Sequence, residues 1–474
     1  MKNSILIIGS GPAGLTCGYQ ISKNKNYNCK IVEISNEVGG MARSINIFDR
    51  VVDIGPHRFF SNDTRINKFW LEVVGDEYKM INRLTRIYYK KKFFNYPLKP
   101  FNALFNLGII MSILCVFSYL KYLIFPKKDT SNFSNWITNR FGYKLYSIFF
   151  KSYTYKLWGI SPDELSSEFA KQRIKDFSLG EAIKQLFKKN NNHKTLVDQF
   201  AYPLKGNGYV YKKMKEKFIK NRGDIVFQKK IVSIEKIGAQ FIVEYNDNGS
   251  ETFDYVVSSM PIDNFLDLFE NYNGNLPELK FRNTILVYTN IVTENLFEDQ
   301  WLYIQDENVK TGRITNFNNW VDSIKNDKPG TILVNEYWTN EDDEMWSFND
   351  QKLNDLCIKD LISCGFIKNK SEVIDYKVIR VPKCYPLYTG DYKNELLKVQ
   401  SFVDSIDGLQ LIGRYGSFKY NNQDHSILMG MLSAENIIDD KNNNLWDINT
   451  DYKYHESSTI SETGLVSNSN KTLK

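Results

Sequence analysis

The stretch "SILIIGSGPAGL" sets Gly9, Gly11 and Gly14 directly after an apolar run, with Pro12 and Ala13 between them at the start of a helical pattern. Glycines at this spacing let the backbone approach a pyrophosphate, and a helix N-terminus supplies N–H donors for it. Glu33 ends the next apolar run, "CKIVEIS", near the distance expected of a carboxylate that holds ribose hydroxyls. Glycine triplets also serve plain strand–helix packing, but strand, triplet, helix, strand and acid in that order predict a dinucleotide site. A second run, "GRYGSFKYNNQDHS" from Gly413 to Ser426, gathers an arginine, aromatics and amides at the far end of the chain. The four histidines have no His or Cys at ligand spacing, so no metal site is expected. No Ser–His–Asp or Cys–His grouping stands out either.

The elements around these residues read as a βαβ opening, followed by a hairpin at "RIYYKKKFFNYP" and a helical region to about Phe200. Strand-like runs from Asp224 to Ser258 and from Arg282 to Trp338, with few helices of equal length between them, predict an antiparallel sheet. Gly408 to Gly413 reads as one more buried strand, with a helix through Ile438 after it. The expected fold class is α/β: a Rossmann-like dinucleotide-binding domain (1–90, 205–265 and 405–440), an inserted helical domain (91–204), an antiparallel β-sheet domain (266–404) and a disordered tail (441–474). Phe101 to Phe125 is nearly continuous in apolar residues and long enough to span a bilayer. Asn102, Asn106, Ser112, Ser118 and Lys121 interrupt it, so packing inside the protein is the expectation, and contact with a membrane surface the alternative.

With 474 residues, 42% of them hydrophobic, the chain can bury more than one core. A formal charge of +6 from intermixed Lys, Arg, Asp and Glu does not suggest a nucleic-acid binder and suits a small anionic substrate. Six scattered cysteines without a CxxC pair or a leader read as reduced, cytoplasmic thiols.

The continuation "EISNEVGGMARS", with Gly39, Gly40 and Arg43, resembles the FAD-binding signature shared by amine oxidases, protoporphyrinogen oxidases and UDP-galactopyranose mutases. "DIGPHRFF", with Gly55, Pro56 and His57, resembles the mutases' loop beside the flavin. "YTYKLWGISPDELS", "VVSSMPIDNFLD" with Arg282 after it, "GRITNFNNW", "NEYW" and the Gly413–Ser426 run are similar to further mutase segments, in order along residues 1 to about 438.

That resemblance implies FAD, active when reduced, with NADPH a candidate reductant. It also implies a UDP-sugar substrate, interconverted between pyranose and furanose forms by covalent catalysis at flavin N5. Arg173 and Arg282 would clamp the diphosphate, with Tyr385 and Tyr420 as hydroxyl donors, because arginines and phenols can neutralise and hold a leaving diphosphate. Gly413, Arg414 and Asp424 would lie at the flavin, Asn422 at the flavin or substrate, Trp158 in the uridine or sugar pocket, and His57 beside the reduced flavin. The plain alternatives are a surface arginine, a core tryptophan, a loop histidine, and Asn422 and Asp424 as helix caps. A flavin oxidoreductase with an apolar substrate is the rival reading. The oligomeric state is left open.

Overall fold

The computed structural model describes residues 2–167, 180, 199–325, 328–448 and 465. Strand β1 (Asn3–Ile8) runs into Gly9, helix α1 (Pro12–Ser22) follows with proline at its first turn, and strand β2 (Tyr27–Val32) returns parallel to β1. Proline suits that position because its missing N–H would have no partner inside the helix and its φ is preset. The sheet is completed from far along the chain, in the order Leu409–Leu411, Tyr255–Ser258, β1, β2, Asp224–Val226, every pairing parallel. The last four residues of β1 are buried, as expected of a parallel sheet covered on both faces. Helix α2 (Thr64–Val74), capped by Asp63 on the Arg65 N–H, packs Phe69 and Trp70 into the same core.

The second large sheet has seven strands, in the order Val373–Pro386, Phe281–Ile291, Thr331–Thr339, Arg313–Asn316, Trp301–Ile304, Thr85–Tyr89, Lys92–Asn95. All its pairings are antiparallel except the one between Trp301–Ile304 and Thr85–Tyr89. The hairpin expected at "RIYYKKKFFNYP" forms, and it extends this sheet at one edge rather than the nucleotide-binding one. The α/β architecture and the antiparallel sheet match the sequence expectation.

Two expectations change. The apolar stretch 101–125 is broken by Gly108, at φ 83°, into α3 (Pro100–Leu107) and α4 (Ile109–Ile124). Instead of being packed inside, it keeps only Ala103, Ser112 and Cys115 buried, while Phe105, Ile109 and Ile110 are nearly fully exposed. Helix α5 (Phe133–Tyr146) backs α4 along one face. Its Gly142, at φ 79°, admits the Ser118–Tyr119 backbone where a Cβ would clash. Among the described residues, no helix is long and apolar enough to cross a membrane. The tail, expected to be unstructured, begins anchored: Trp446 is buried and its indole N–H donates to Asp404 at 3.0 Å.

A wide turn, Ser147–Lys151, joins α5 to α6 (Ser152–Trp158), which reaches the space between the two large sheets.

Candidate active site

A cavity of about 640 Å³ starts at the glycine loop and ends among aromatic side chains of the seven-stranded sheet. Gly9, Gly11, Pro12, Ala13, Glu33 and Gly40 line its first part. Gly14 lies beneath them, where a Cβ would strike the Gly9 carbonyl oxygen, so only glycine lets α1 start this close to β1. Gly11, in contrast, faces open space. Glu33 accepts from the Ser10 N–H and hydroxyl, both at 2.7 Å, and from the Ser35 N–H at 2.9 Å. Its carboxylate thus ties the loop to β2 while still facing the cavity. The Gly39 N–H donates to the Ser10 carbonyl, folding the second glycine pair over the first, and Arg43 donates to the Gly40 carbonyl at 2.9 Å behind the wall.

The closing segment forms the opposite side. Gly413, at φ 78°, brings the chain so near α1 that a Cβ would lie 3.0 Å from that of Ala13. Arg414 lines the cavity but spends its donors on the Asn421 and Cys384 carbonyls, which brackets this loop to the sheet. Asn422 is the N-cap of the closing helix Gln423–Ile438, makes no side-chain capping bond, and lines the cavity. Gln423 donates to the Arg58 carbonyl at 2.7 Å and to the Asn207 side-chain oxygen at 3.1 Å. Asn207 in turn donates to Asp53, whose carboxylate also takes the Ser44 and Tyr202 hydroxyls at 2.6 Å. This buried network sets the Gly55–Phe60 loop, from which Pro56, His57 and Arg58 reach the cavity. Two helix N-termini, at Pro12 and Gln423, therefore converge on one cavity and favour negative charge there.

In the far chamber Tyr303, Arg313 and Glu336 occupy one row across three neighbouring strands. Arg313 donates from Nε to Glu336 at 2.6 Å and from a terminal nitrogen at 2.5 Å, and that nitrogen lies 3.5 Å from the Tyr385 hydroxyl. Burial opposes its charge, yet Glu336 holds the guanidinium pKa well above the usual value. Burial also raises the phenols of Tyr153 and Tyr385, so both remain hydroxyl donors. Tyr385 and Tyr420 stack at 5.3 Å, and Arg414 sits 4.9 Å over the Tyr420 ring. Burial, with Arg414 and Arg313 nearby, pushes the His57 imidazole down to about 3. The carboxylates in the cavity wall, Glu33 and Asp267, both belong to the parallel-sheet lobe.

The fold thus brings the glycine loop, Glu33, the Pro56–His57 turn, Gly413, Arg414, Tyr385, Tyr420 and Asn422 to one cavity. Gly55 is buried just behind it. Four expectations fall elsewhere, the first being Arg43, which sits behind the wall on the Gly40 carbonyl. Arg282 is 2% exposed and does not line the cavity, because its donors go to the Leu157, Lys156 and Trp338 carbonyls and to Asp343 at 3.3 Å. The carbonyls at the end of α6 lack helical partners, and a guanidinium fork satisfies them. Asp424 is likewise buried behind the wall, 3.0 Å from His425 Nδ1. Trp158 is buried too, packed edge-on against Tyr420. Arg173 lies outside the described residues.

Sequence reasoning missed Arg313, Tyr303, Trp301 and Trp338. The signal was there: Trp301 and Tyr303 in "WLYI", and Glu336 and Trp338 in "NEYW", are two apart and share a strand face, and a lone arginine in "GRITN" needs a buried acid.

The residues fit a dinucleotide, since helix N-terminal donors, an open glycine and a carboxylate line one elongated space. Residues 7–73 match the family model of the NAD(P)-binding Rossmann-like domain. The fold is similar to a crystal structure of reduced UDP-galactopyranose mutase, at a TM-score of 0.81 and 20% identity, covering 93% of this chain and 97% of that one. In sequence the chain is 22% identical to the coproporphyrinogen III oxidase of Staphylococcus aureus, over 92% of this chain and 99% of that protein. It is 25% identical to a probable UDP-galactopyranose mutase of Klebsiella pneumoniae, over 36% of this chain and 45% of that protein. The chain therefore has a Rossmann-like dinucleotide-binding domain within the fold that flavin-dependent oxidases and mutases share.

Proposed function

We propose that this protein is an FAD-dependent enzyme that interconverts the pyranose and furanose forms of a UDP-linked hexose. The observation that carries the reading is the chamber at the end of the cavity, where Arg313 and the phenols of Tyr153, Tyr303, Tyr385 and Tyr420 meet with no unpaired carboxylate among the described residues there. Such a wall holds an anionic diphosphate and offers no general base or side-chain nucleophile. Gly11, Ala13, Glu33, Gly40 and the N-terminus of α1 would hold the FAD, with Arg414 and Asn422 on its other side. Bound and reduced, FAD supplies an electron-rich ring nitrogen that can attack carbon without net oxidation.

The remaining work falls to the chain. Tyr385 and Tyr420 donate to the departing diphosphate oxygens, and the Arg313 field keeps the leaving group close. The chamber's aromatic walls would limit water around the sugar, which favours ring closure over transfer to water. His57, neutral at physiological pH, adds no competing positive charge. Arg282 acts as a positioning residue through the end of α6, and Arg173 is the second proposed cation at the diphosphate.

The test is incubation with UDP-galactofuranose, with dithionite, with NADPH and without reductant, followed by anion-exchange separation of the nucleotide sugars. Conversion to UDP-galactopyranose only after reduction is expected. No conversion by the reduced, FAD-loaded protein rejects UDP-galactose as substrate.

A second reading is an FAD-dependent oxidase of a bulky, partly apolar substrate. Trp301, Trp338 and Phe60 in the chamber wall favour it, as does the likeness to coproporphyrinogen III oxidase along nearly the whole chain. Oxygen-dependent oxidation of coproporphyrinogen by the same preparation would select it.

A further inference from the structure

Helices α3 and α4 invert the ordinary surface pattern, in which apolar residues face the core. Thirteen of the twenty-seven exposed large hydrophobic residues among the described residues lie between Phe101 and Phe125. On α4 they recur as pairs at 109/110, 113/114, 116/117 and 123/124, which keeps them on one side of the helix. The opposite side carries the two buried residues of α4, Ser112, which donates to the Leu104 carbonyl of α3, and Cys115, and it packs on α5. A contiguous apolar face of this size marks an interaction surface.

Charge identifies the partner. From Tyr78 to Pro162 the chain carries fourteen Lys and Arg against a single acid, Asp129. Exposed lysines border the face: Lys121 near the end of α4, Lys127 and Lys128 just beyond it, and Lys92 in the neighbouring β-hairpin. Lys92 is held beside the α3–α4 junction by its bond to the Asn106 carbonyl at 2.7 Å, while Asn106 donates to the Phe93 carbonyl. Tyr119 and Tyr122 are partly exposed along α4, as suits rings at a headgroup level. A second copy would bring the same lysines face to face across a two-fold axis, whereas an anionic lipid surface satisfies both the apolar face and its basic rim.

We propose that the α3–α4 segment docks the protein onto an anionic bilayer, lying in the interface without crossing it. At sixteen residues α4 is about 24 Å long, too short to span the hydrocarbon core but suited to lying in the headgroup boundary. The docked lobe continues through α5 into α6, which supplies Tyr153 and Leu157 to the cavity wall.

The experiment is flotation of the full chain with vesicles of phosphatidylcholine alone and of phosphatidylcholine with an equal amount of phosphatidylglycerol, at low and high salt, beside sedimentation velocity without lipid. Flotation with the anionic vesicles is expected, weakened by salt, about thirtyfold or more weaker in Lys127→Glu/Lys128→Glu, and lost in Phe105→Ser/Ile110→Ser/Phe117→Ser. All three of those side chains are exposed, so a circular-dichroism melt matching the parent keeps the loss interpretable. Absence of flotation by the parent protein, or flotation unchanged in the triple variant, overturns the proposal. A dimer that dissociates in the triple variant, without vesicle binding, assigns the face to a second copy instead.

Discussion

Arg313, in the cavity wall, and Glu336, behind it, stand directly opposite each other on adjacent antiparallel strands, joined by two hydrogen bonds, with Glu336 2% exposed in its side chain and Arg313 17%. The pair places a cation at the chamber without leaving a buried charge uncompensated. It also links the two properties a chamber for an anionic substrate needs, rigidity and positive potential.

Breaking that pair from one side is expected to be costly. Glu336→Gln should lower the unfolding free energy by about 3–5 kcal/mol, read from urea titration. Arg313→Met with Glu336→Leu should recover much of the stability and none of the activity.

The glycine loop separates folding from cofactor binding. Gly14→Ala forces a methyl against the Gly9 carbonyl and should cost about 1–3 kcal/mol as well as the flavin. Gly11→Ala meets no protein atom within 4 Å, so it should melt like the parent as apoprotein yet purify with much less flavin absorbance. Equal flavin content in the Gly11→Ala variant would reject this loop as the pyrophosphate site.

Arg282 should behave as a positioning residue. Arg282→Lys keeps the charge but loses the fork that serves three carbonyls, so we expect a lower melting temperature and a fall in kcat with little change in KM. Gly159→Ala should resemble it, because Gly159 sits at φ 69° and an added Cβ would collide with the Arg282 guanidinium. A large rise in KM alone would instead mean that Arg282 contacts substrate.

His57 gives a pH signature. Its imidazole is held down to about 3 in the folded chain, against about 6.5 when unfolded. The unfolded state therefore takes up the proton first. The stability from keeping His57 neutral is complete above about pH 6.5 and is lost as pH falls toward 3. The parent-minus-variant difference in urea midpoint for His57→Gln should shrink along that interval, and the imidazole resonances should not titrate between pH 5 and 8.

The nucleotide end of the cavity was legible in the sequence because its parts are contiguous. Strand, glycine turn and helix are fixed by local sterics, and Gly9, Gly11, Gly14 and Glu33 lie within one βαβ unit whose geometry hardly varies. The far chamber had no such local rule. Arg282, singled out by its neighbours in sequence, is turned by the packing of α6 onto a helix end, and Arg313 takes a place in the chamber wall instead. Its selection depends on register: Arg313 faces Glu336 and Tyr303 only as these strands pair here, and a slip of one residue would send every side chain in the strand to the other face. Apolarity marked residues 101–125, yet which of their faces is covered was decided by α5 reaching one side of α4 and leaving the other bare. Sequence alone determined the local turns and the residue types available for chemistry. Strand register and helix packing, which join residues distant in the chain, decided which of them meet in the cavity.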